Sequence, residues 1–433
     1  MKKYTVSIER EAQQICVGEI MGDSSETASF CYSETYLNSK NATAISISLP
    51  LQQESFSVTQ TKNYFEGLLP EGFTRRSVAN WMHLDESDYL SILHGLGREC
   101  LGAIRISSGE EELEEAYERL SVEQVKAIAA EGATKSAELV TKAHLSLTGA
   151  SGKVGLYYNE PENQWYLPHG TAPSTHIVKQ SHVRLDGIVT NEQLSLMTAA
   201  RCGIQIPKSF IINVGGGEDG EVLFATERYD RVFGGSKKID GLPCPLRLHQ
   251  EDFAQAMGIP ASRKYEAQSS NYLQGMFEIL RKYSSDPIAD RLKLWDIVVF
   301  NYLIGNTDAH VKNFSLLYSP DMRSLRLAPA YDIVSTTVYE SSTRDMAFNI
   351  GGDYSIDDIT EASFARAARD IGLGEKMAMK RYEQLSAKFK KALRESAETL
   401  LQMGFDKAED IEKRILQTGG IRQARQVQTT ISV

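Results

Sequence analysis

The hydrophobic rhythm of the chain changes part-way along, and that change limits its architecture more than any other feature. Up to Arg231 the apolar residues fall mainly in short β-type runs: YTVSIE (4–9), ICVGEI (15–20), ISISLPL (45–51) and LGAIRIS (101–107), then HLSLTG, KVGLYY, QWYLP, THIVK, SFIINV and VLFATERY after Ala143. One helical stretch, NEQLSLMTAARCG (191–203), interrupts them. Beyond Gln250 the repeat becomes helical, in NYLQGMFEILRKY (271–283), ADRLKLWDIVVFNYLIG (289–305) and the long run 375–404. Period two marks strands and a period near 3.6 marks helices. The fold expected is therefore α+β, with a β-rich N-terminal portion and an all-α C-terminal lobe. Four segments are expected: an α+β subdomain at 1–108, a linker at 109–142 opened by the acidic GEEELEEAYERL, a β-rich lobe at 143–231 and a helical lobe at 232–433.

Composition narrows the function classes. With 433 residues, 42% hydrophobic and 24% charged, the chain has enough apolar material for more than one core. Its formal charge of -10 supplies no diffuse attraction to nucleic acid or to an anionic membrane. Cys16, Cys31, Cys100, Cys202 and Cys244 are scattered with no CxxC pair, as in a reducing compartment, so a cytoplasmic location is expected. The start MKKYTVSIER has no apolar core of a leader, and no run is long enough to cross a bilayer, so no membrane association is expected. The histidines show no zinc spacing.

The strongest chemical signal is IGNTDAHVKNFSLLY (304–318), where a helical pattern ends and a loop delivers Asp308, His310 and Asn313 before a short strand. Phosphoryl transfer asks little covalent work of a protein; it must orient the attacking hydroxyl and hold Mg²⁺ against the phosphates. An Asp followed five residues later by an Asn offers both from one loop. Downstream, LRLAPAYDIVS (325–335) reads as a strand ending at Tyr331-Asp332, a second carboxylate suited to a hard, oxygen-rich Mg²⁺ site. Either piece alone is equally a turn-forming Asp; the two together, in this order behind a β-rich lobe, favour the catalytic reading.

Weaker signals lie upstream. HLSLTGASGKVGLYY (144–158) places a small-residue turn at Gly149, Ala150, Ser151 and Gly152 before Lys153, and backbone N–H groups of such a turn can cradle phosphate. It is no Walker A loop and reads equally as a hairpin turn. Lys179 ends the run THIVKQS, where an ammonium can reach phosphates, and Glu192 is a candidate partner for it. In VLFATERYDR (222–231), backbone groups at Glu227-Arg228-Tyr229 can meet an adenine while Tyr229 or Phe224 packs on the ring. An ordinary strand exit fits that segment as well.

In order along nearly the whole chain, ISISLPL (45–51), NYFEGLLPEG (63–72), LGRECLGAI (96–104), SLTGASGK (146–153), THIVK (175–179), ERYDR (227–231), RLHQEDFAQAMGIPASRKYE (247–266), IGNTDAHVKNFS (304–315) and PAYDI (329–333) resemble the HipA family of bacterial serine/threonine kinase toxins of toxin–antitoxin modules. The resemblance implies a two-lobed protein-kinase-like fold and an ATP- and Mg²⁺-dependent protein kinase. It implies Asp308 as catalytic base, Asn313 and Asp332 as Mg²⁺ ligands, and Lys179 on the ATP phosphates. The turn from Thr148 to Lys153 would stand for the phosphate loop, Glu227 to Tyr229 would meet adenine, and His310, Val311, Lys312 and Tyr331 would lie along the nucleotide. Ser146 matches the autophosphorylated serine, where an added dianion would repel ATP phosphates. Implied partners are a HipB-like helix-turn-helix antitoxin, operator DNA mainly through that antitoxin, and a protein substrate of translation such as the glutamyl aminoacyl-tRNA synthetase, with growth arrest and persistence as the outcome.

GGDYSIDDIT (351–360) departs from relatives that carry lysines there; its carboxylates are expected to repel DNA. Two other readings stay open at the level of sequence. The D-x-H-x-x-N loop also resembles that of aminoglycoside or choline kinases, and a catalytically inactive co-repressor on the same fold is the non-enzymatic alternative.

Overall fold

The structure is a computed structural model that describes residues 2–108, 114–142, 152–182, 184–268 and 270–424, without the side chains of 133, 137, 141 and 142. The chain divides into two compact units that interleave along the sequence. Met1–His182, Ile212–Ala261 and Leu316–Leu325 form the first, and Val183–Ile211, Ser262–Ser315 and Arg326–Val433 the second. Consecutive segments such as 143–231 and 232–433 are thus each shared between the units. No described helix is long and apolar enough to cross a membrane.

The first unit opens with the antiparallel sheet β3-β2-β1-β4, built from β1 (Lys2–Arg10), β2 (Gln13–Gly22), β3 (Ser29–Tyr32) and β4 (Ile104–Ser107). Alternation puts Tyr4, Val6 and Ile8 of β1 and Ile104 and Ile106 of β4 in the core. Helices α1 (Val58–Phe65), α2 (Gly72–Trp81) and α3 (Tyr89–Leu96) fill the connection.

ISISLPL, expected as a strand, forms only an isolated bridge between Ser46 and Leu49. Side chains take its backbone groups instead. The Tyr32 hydroxyl donates to the Leu49 carbonyl (2.6 Å) and accepts from the Ile45 N–H, while the buried Glu251 carboxylate accepts from the Ile47 N–H (3.1 Å) and the Ser46 hydroxyl (2.5 Å). Pro50, lacking an N–H, does not favour a ladder there.

The second sheet has six strands in the order β5-β7-β6-β8-β10-β9: β5 (Ala116–Arg119), β6 (Lys153–Asn159), β7 (Gln164–His169), β8 (His176–Gln180), β9 (Ser209–Asn213) and β10 (Val222–Glu227). The acidic segment expected as a helical linker thus supplies an edge strand. Tyr117 drives this, packing at 5% exposure with Tyr157, Ala172 and Cys244. Only then do α4 (Val122–Glu131), opened by the Ser121/Gln124 capping box, and α5 (Ala133–Lys142) follow.

The second unit holds α6 (Ile188–Cys202), α7 (Tyr272–Tyr283), α8 (Pro287–Ile304), α9 (Glu361–Asp370), α10 (Glu375–Gln402) and α11 (Lys407–Thr418). Its central helix is α8, capped by Asp286 with Pro287 at the first position, and continuously buried from Ile297 to Ile304, as a helix surrounded by others must be. On α10 the buried Ala378, Tyr382, Leu385, Phe389, Ala392 and Leu393 form one stripe, and Trp295 of α8 donates its indole N–H to the Ala378 carbonyl (3.0 Å). A short antiparallel ribbon, β11 (Asp345–Ile350) with β12 (Asp353–Ser355), accompanies the helices.

Candidate active site

The loop that carries Asp308 begins where α8 must stop. Gly305 adopts φ +80°, and a Cβ on it would lie 2.1 Å from the Thr337 hydroxyl, so only glycine closes the helix here. The Asn306 side chain donates to Asn301 Oδ1 (2.8 Å), the Thr307 N–H donates to the Thr336 hydroxyl (2.8 Å), and the Thr307 hydroxyl donates to the Thr343 carbonyl (3.0 Å). Past these ties Asp308 is exposed while Ala309, His310 and Val311 turn inward. The turn is closed by the Asp308 carbonyl, which accepts from the His310 N–H (2.7 Å) and the Asn313 side-chain amide (3.1 Å). Asp308 and Asn313 are thereby joined through one carbonyl, with the Asn313 amide oxygen left to serve as an acceptor or ligand.

The segment carrying Asp332 is fixed at both ends. Before it, the fully buried Asp290 of α8 accepts from Arg326 (2.9 and 3.0 Å) and from the Leu327 N–H (3.0 Å). Burial alone would raise the Asp290 carboxyl, but these donors and Ser284 hold it below its ordinary value. After it, the Ser335 hydroxyl donates to the Ile304 carbonyl (2.6 Å), and Asn191 of α6 brackets the Ser335 backbone with two hydrogen bonds. Between these anchors the expected strand is shorter than its sequence suggests, Leu325–Leu327, and Asp332 takes a left-handed conformation with φ +56°. That conformation costs a non-glycine residue about 1 kcal/mol, and Asp is among the few residues that tolerate it. Such outliers cluster at functional sites.

Tyr331 joins the two loops. Its hydroxyl donates to the Lys312 carbonyl (2.9 Å) and shares a hydrogen bond with Ser315 Oγ (2.6 Å). Asn313 lies between those two contacts in sequence, and Asp332 directly follows Tyr331. Thr336, beyond Asp332, meets Thr307, directly before Asp308 (2.7 Å between hydroxyls). Asp308, Asn313 and Asp332 therefore rise from two segments tied to each other on either side of the acidic residues. Val311 and Lys312 are buried, at 0% and 5% exposure, so the first anchors the loop from beneath.

A residue to which the sequence assigned no role completes this cluster. The Tyr265 hydroxyl donates to Asp308 Oδ1 at 2.5 Å, and its ring meets the His310 ring edge-on at 5.3 Å between centroids. Nothing in local spacing marks it, because it stands 43 residues before Asp308. It falls within the 247–266 match, which is the only sequence signal for it.

In the first unit, Lys153 of β6 and Lys179 of β8 are direct antiparallel partners, and Phe224 of β10 faces Lys179 from the other side. All three side chains share one face of the sheet. Phe224 is only 1% exposed and lies 5.5 Å from the Lys179 ammonium as a cation–π partner. Gly152 is buried ahead of β6; Ser146, Thr148, Gly149, Ala150 and Ser151 lie outside the described residues. Glu192 is buried on α6.

The ERYDR segment is divided in its use. Glu227 ends β10 opposite His176, and the Tyr229 hydroxyl donates to Gln250. The Arg228 side chain enters a buried ion cluster. It bonds Glu99 (3.0 Å) and Asp230 (2.8 Å), while Arg231 (2.8 Å) and Arg247 (2.6 Å) also hold Glu99, all with side chains no more than 2% exposed. Its backbone N–H is taken by the Thr175 carbonyl (2.8 Å). Burial would push both carboxyls up. The arginines outweigh it, leaving Glu99 far below the ordinary range and Asp230 lowered to about 2.

The 351–360 segment is also less negative in effect than its sequence implies. Asp353 pairs with Arg366 (2.5 Å), and Asp357 with Arg344 (2.6 Å) and Arg422 (2.5 Å). Three arginines from elsewhere in the same unit thus share the charge of the carboxylates that are expected to repel DNA. No group of three or more His, Cys, Asp or Glu side chains among the described residues forms an all-protein metal cage. Asp332 and Asn313 instead present the sparse oxygen set that suits Mg²⁺, which takes one or two protein oxygens and fills its shell with phosphates and water.

Known proteins resemble this chain along most of its length. The model of the HipA-like C-terminal domain matches residues 145–393, and that of the HipA N-terminal domain matches residues 11–107. A protein of Sinorhizobium fredii provisionally named kinase Y4mE is 31% identical, covering 85% of this chain and 86% of its own. The serine/threonine-protein kinase toxin HipA of Shewanella oneidensis is 25% identical over 90% of this chain and 89% of its own. In fold, the chain is similar to HipA solved with HipB and operator DNA from Shewanella oneidensis MR-1, with a TM-score of 0.78 and 22% identity over 95% of this chain and 96% of that one. The α+β, kinase-like fold expected from the resemblance is the one observed. With a family model spanning more than half of its length and a relative above 30% identity along most of it, the chain belongs to the HipA family.

Proposed function

We propose that the protein is a Mg²⁺- and ATP-dependent kinase that phosphorylates serine or threonine hydroxyls of a protein substrate. The observation that carries this reading is the bracing of the Asp308–Asn313 loop against the Asp332 segment through Tyr331, Ser315 and the Thr307–Thr336 pair. Asp308, exposed at the tip, accepts the proton of the acceptor hydroxyl as its oxygen forms a bond to the γ-phosphorus. The bond from that phosphorus to the β–γ bridging oxygen breaks and ADP leaves. Asn313 and Asp332 supply the ligands for Mg²⁺, whose chemistry when bound is to neutralise charge on the phosphates. Lys153, Lys179 and the turn from Thr148 serve the phosphates, and the backbone of Glu227 and Tyr229 serves adenine.

The same reading assigns Ser146 as the site of a self-limiting autophosphorylation, a HipB-like antitoxin as the neutralising partner that carries the complex to operator DNA, and a cytoplasmic location. The substrate is a translation component of the kind the HipA resemblance implies, a glutamyl-type aminoacyl-tRNA synthetase. The solved relative with HipB and operator DNA supports the partner assignment by likeness of fold.

Incubation of the purified chain with γ-labelled ATP and Mg²⁺ tests the proposal. Label on protein serine or threonine, including a Ser146 phosphopeptide, is expected. Transfer to an aminoglycoside or choline instead would replace this reading with that of a small-molecule kinase, and no transfer to any acceptor would leave an inactive kinase fold.

A further inference from the structure

The hydrogen bond between Tyr265 and Asp308 is the contact that an acceptor hydroxyl has to make with its general base: an O–H donor within reach of a carboxylate oxygen. Resting on the kinase reading above, we propose that Tyr265 is an acceptor stand-in, a phenol that occupies the Asp308 carboxylate until a substrate hydroxyl displaces it.

Three features of the second unit support this role. First, the position is built. On one side of Tyr265 the Arg263 carbonyl accepts from the Tyr272 hydroxyl (2.7 Å); on the other the Glu266 N–H donates to the Ala347 carbonyl (2.8 Å). The Glu266 carboxylate accepts from the Tyr272 N–H (2.6 Å) and from the backbone and side-chain N–H groups of Asn349 (2.7 Å each). The backbone is thus pinned on both sides, so displacing the phenol from Asp308 requires rotation of the side chain alone.

Second, it lies at the surface. Tyr265 is 48% exposed, its ring edge-on to His310 and 5.5 Å from the Lys264 ammonium, so rotation into solvent exchanges surface contacts and opens no buried cavity. Third, its chemistry is that of a blocker. At neutral pH a phenol is a donor, and a carboxylate that accepts a hydrogen bond is stabilised as the anion and weakened as a base. Asp308 so occupied is a poor base towards water, which otherwise reaches the exposed carboxylate and would spend ATP in hydrolysis. A protein acceptor competes because its neighbouring residues add contacts that water lacks.

The experiment compares full-length wild type with Tyr265→Phe, which keeps the ring and removes the hydroxyl, and Tyr265→Leu, which removes both. ADP release is followed without acceptor, and transfer is followed with the Asp308→Asn chain as protein acceptor. Loss of the competing hydrogen bond is expected to raise acceptor-independent ADP release about tenfold in both variants, the factor set by one hydrogen bond to a charged group. It should also lower the acceptor KM without lowering kcat.

A fall in kcat at unchanged KM, with no rise in ADP release, would show that Tyr265 orients Asp308 and would overturn the stand-in. Phosphate found on Tyr265 would overturn it too, since the phenol would then be an acceptor. Wild type that neither releases ADP nor transfers phosphate would remove the kinase reading and this one together. Active wild type with both variants indistinguishable from it would remove this one alone.

Discussion

Each unit gathers charge around a motif the sequence singles out, and the two clusters are used in opposite ways. In the first, Arg228, Arg231 and Arg247 enclose Glu99 and Asp230 with side chains at 0–2% exposure, so every charge is spent on another. In the second, Asp308 stands exposed on a loop whose rigidity comes from neutral groups, the hydroxyls of Thr307, Ser315, Tyr331, Ser335 and Thr336 and the amides of Asn191, Asn301 and Asn306. ERYDR and DAHVKN look alike as text, both mixing charges with aromatic or polar residues. What separates them is burial: the first carboxylates are sealed among arginines, and Asp308 lies where a substrate can reach it. A buried ion pair contributes little net stability yet is costly to break, whereas an exposed carboxylate contributes almost nothing to folding.

That contrast can be attacked directly. Asp308→Asn is expected to lower phosphoryl transfer by about 10²- to 10⁴-fold, the usual contribution of a general base, while leaving the urea midpoint unchanged. Wild-type rates would remove Asp308 from the base role. Conversely, Glu99→Ala in the first unit removes the carboxylate shared by three buried arginines, leaving only Asp230 and Glu9 against them, and a loss of about 3–5 kcal/mol in denaturant unfolding is expected. A loss under about 1 kcal/mol would mean that water reaches the cluster and that its burial has been overrated.

A third substitution separates the clusters by pH. Burial raises the Glu251 carboxyl from 4.5 to about 7, against the lowering effect of Ser46, Tyr318 and the Ile47 N–H. Because the folded state binds this proton more tightly than the unfolded chain, its stabilisation is complete below pH 4.5 and is lost as pH rises through about 7. Thermal midpoints of wild type should thus decline across that window more steeply than those of Glu251→Gln. Parallel curves would show that Glu251 is not the group titrating. Arg344→Ala, at the half-exposed pair with Asp357, should change stability by less than about 1 kcal/mol; a larger drop would assign that pair a structural role.

How much of this was legible in the sequence follows from the range of the forces involved. The Asp308–Asn313 loop is local: a helix-ending glycine, a turn and a spacing of five, all within one short stretch. The alternation of YTVSIE and the stripe along 375–402 are local too, and both elements form as their periods predict. Tyr265 is invisible to such reading because its partner is 43 residues away and its own neighbours give no periodic signal. ISISLPL misleads for the related reason that its alternation is real but its hydrogen bonds go to Tyr32 and Glu251, residues that only tertiary structure brings near. Likewise the charge of 351–360 looks unbalanced until Arg344, Arg366 and Arg422 arrive from elsewhere in the unit. Nor does the sequence show that Glu99 and Asp230 hold the Arg228 side chain.

We propose that Asn313 and Asp332, whose segments Tyr331 ties together, bind one Mg²⁺ with ATP, and calorimetric titration of ATP with and without Mg²⁺ tests this most directly. Asp332→Asn is the apt variant, since asparagine tolerates the left-handed backbone at φ +56° while losing the charge. The account predicts that wild type binds ATP more tightly with Mg²⁺ present, and that Asp332→Asn and Asn313→Ala each weaken this Mg²⁺-dependent binding by about tenfold or more. Equal affinity for Mg²⁺-ATP in all three proteins would contradict it.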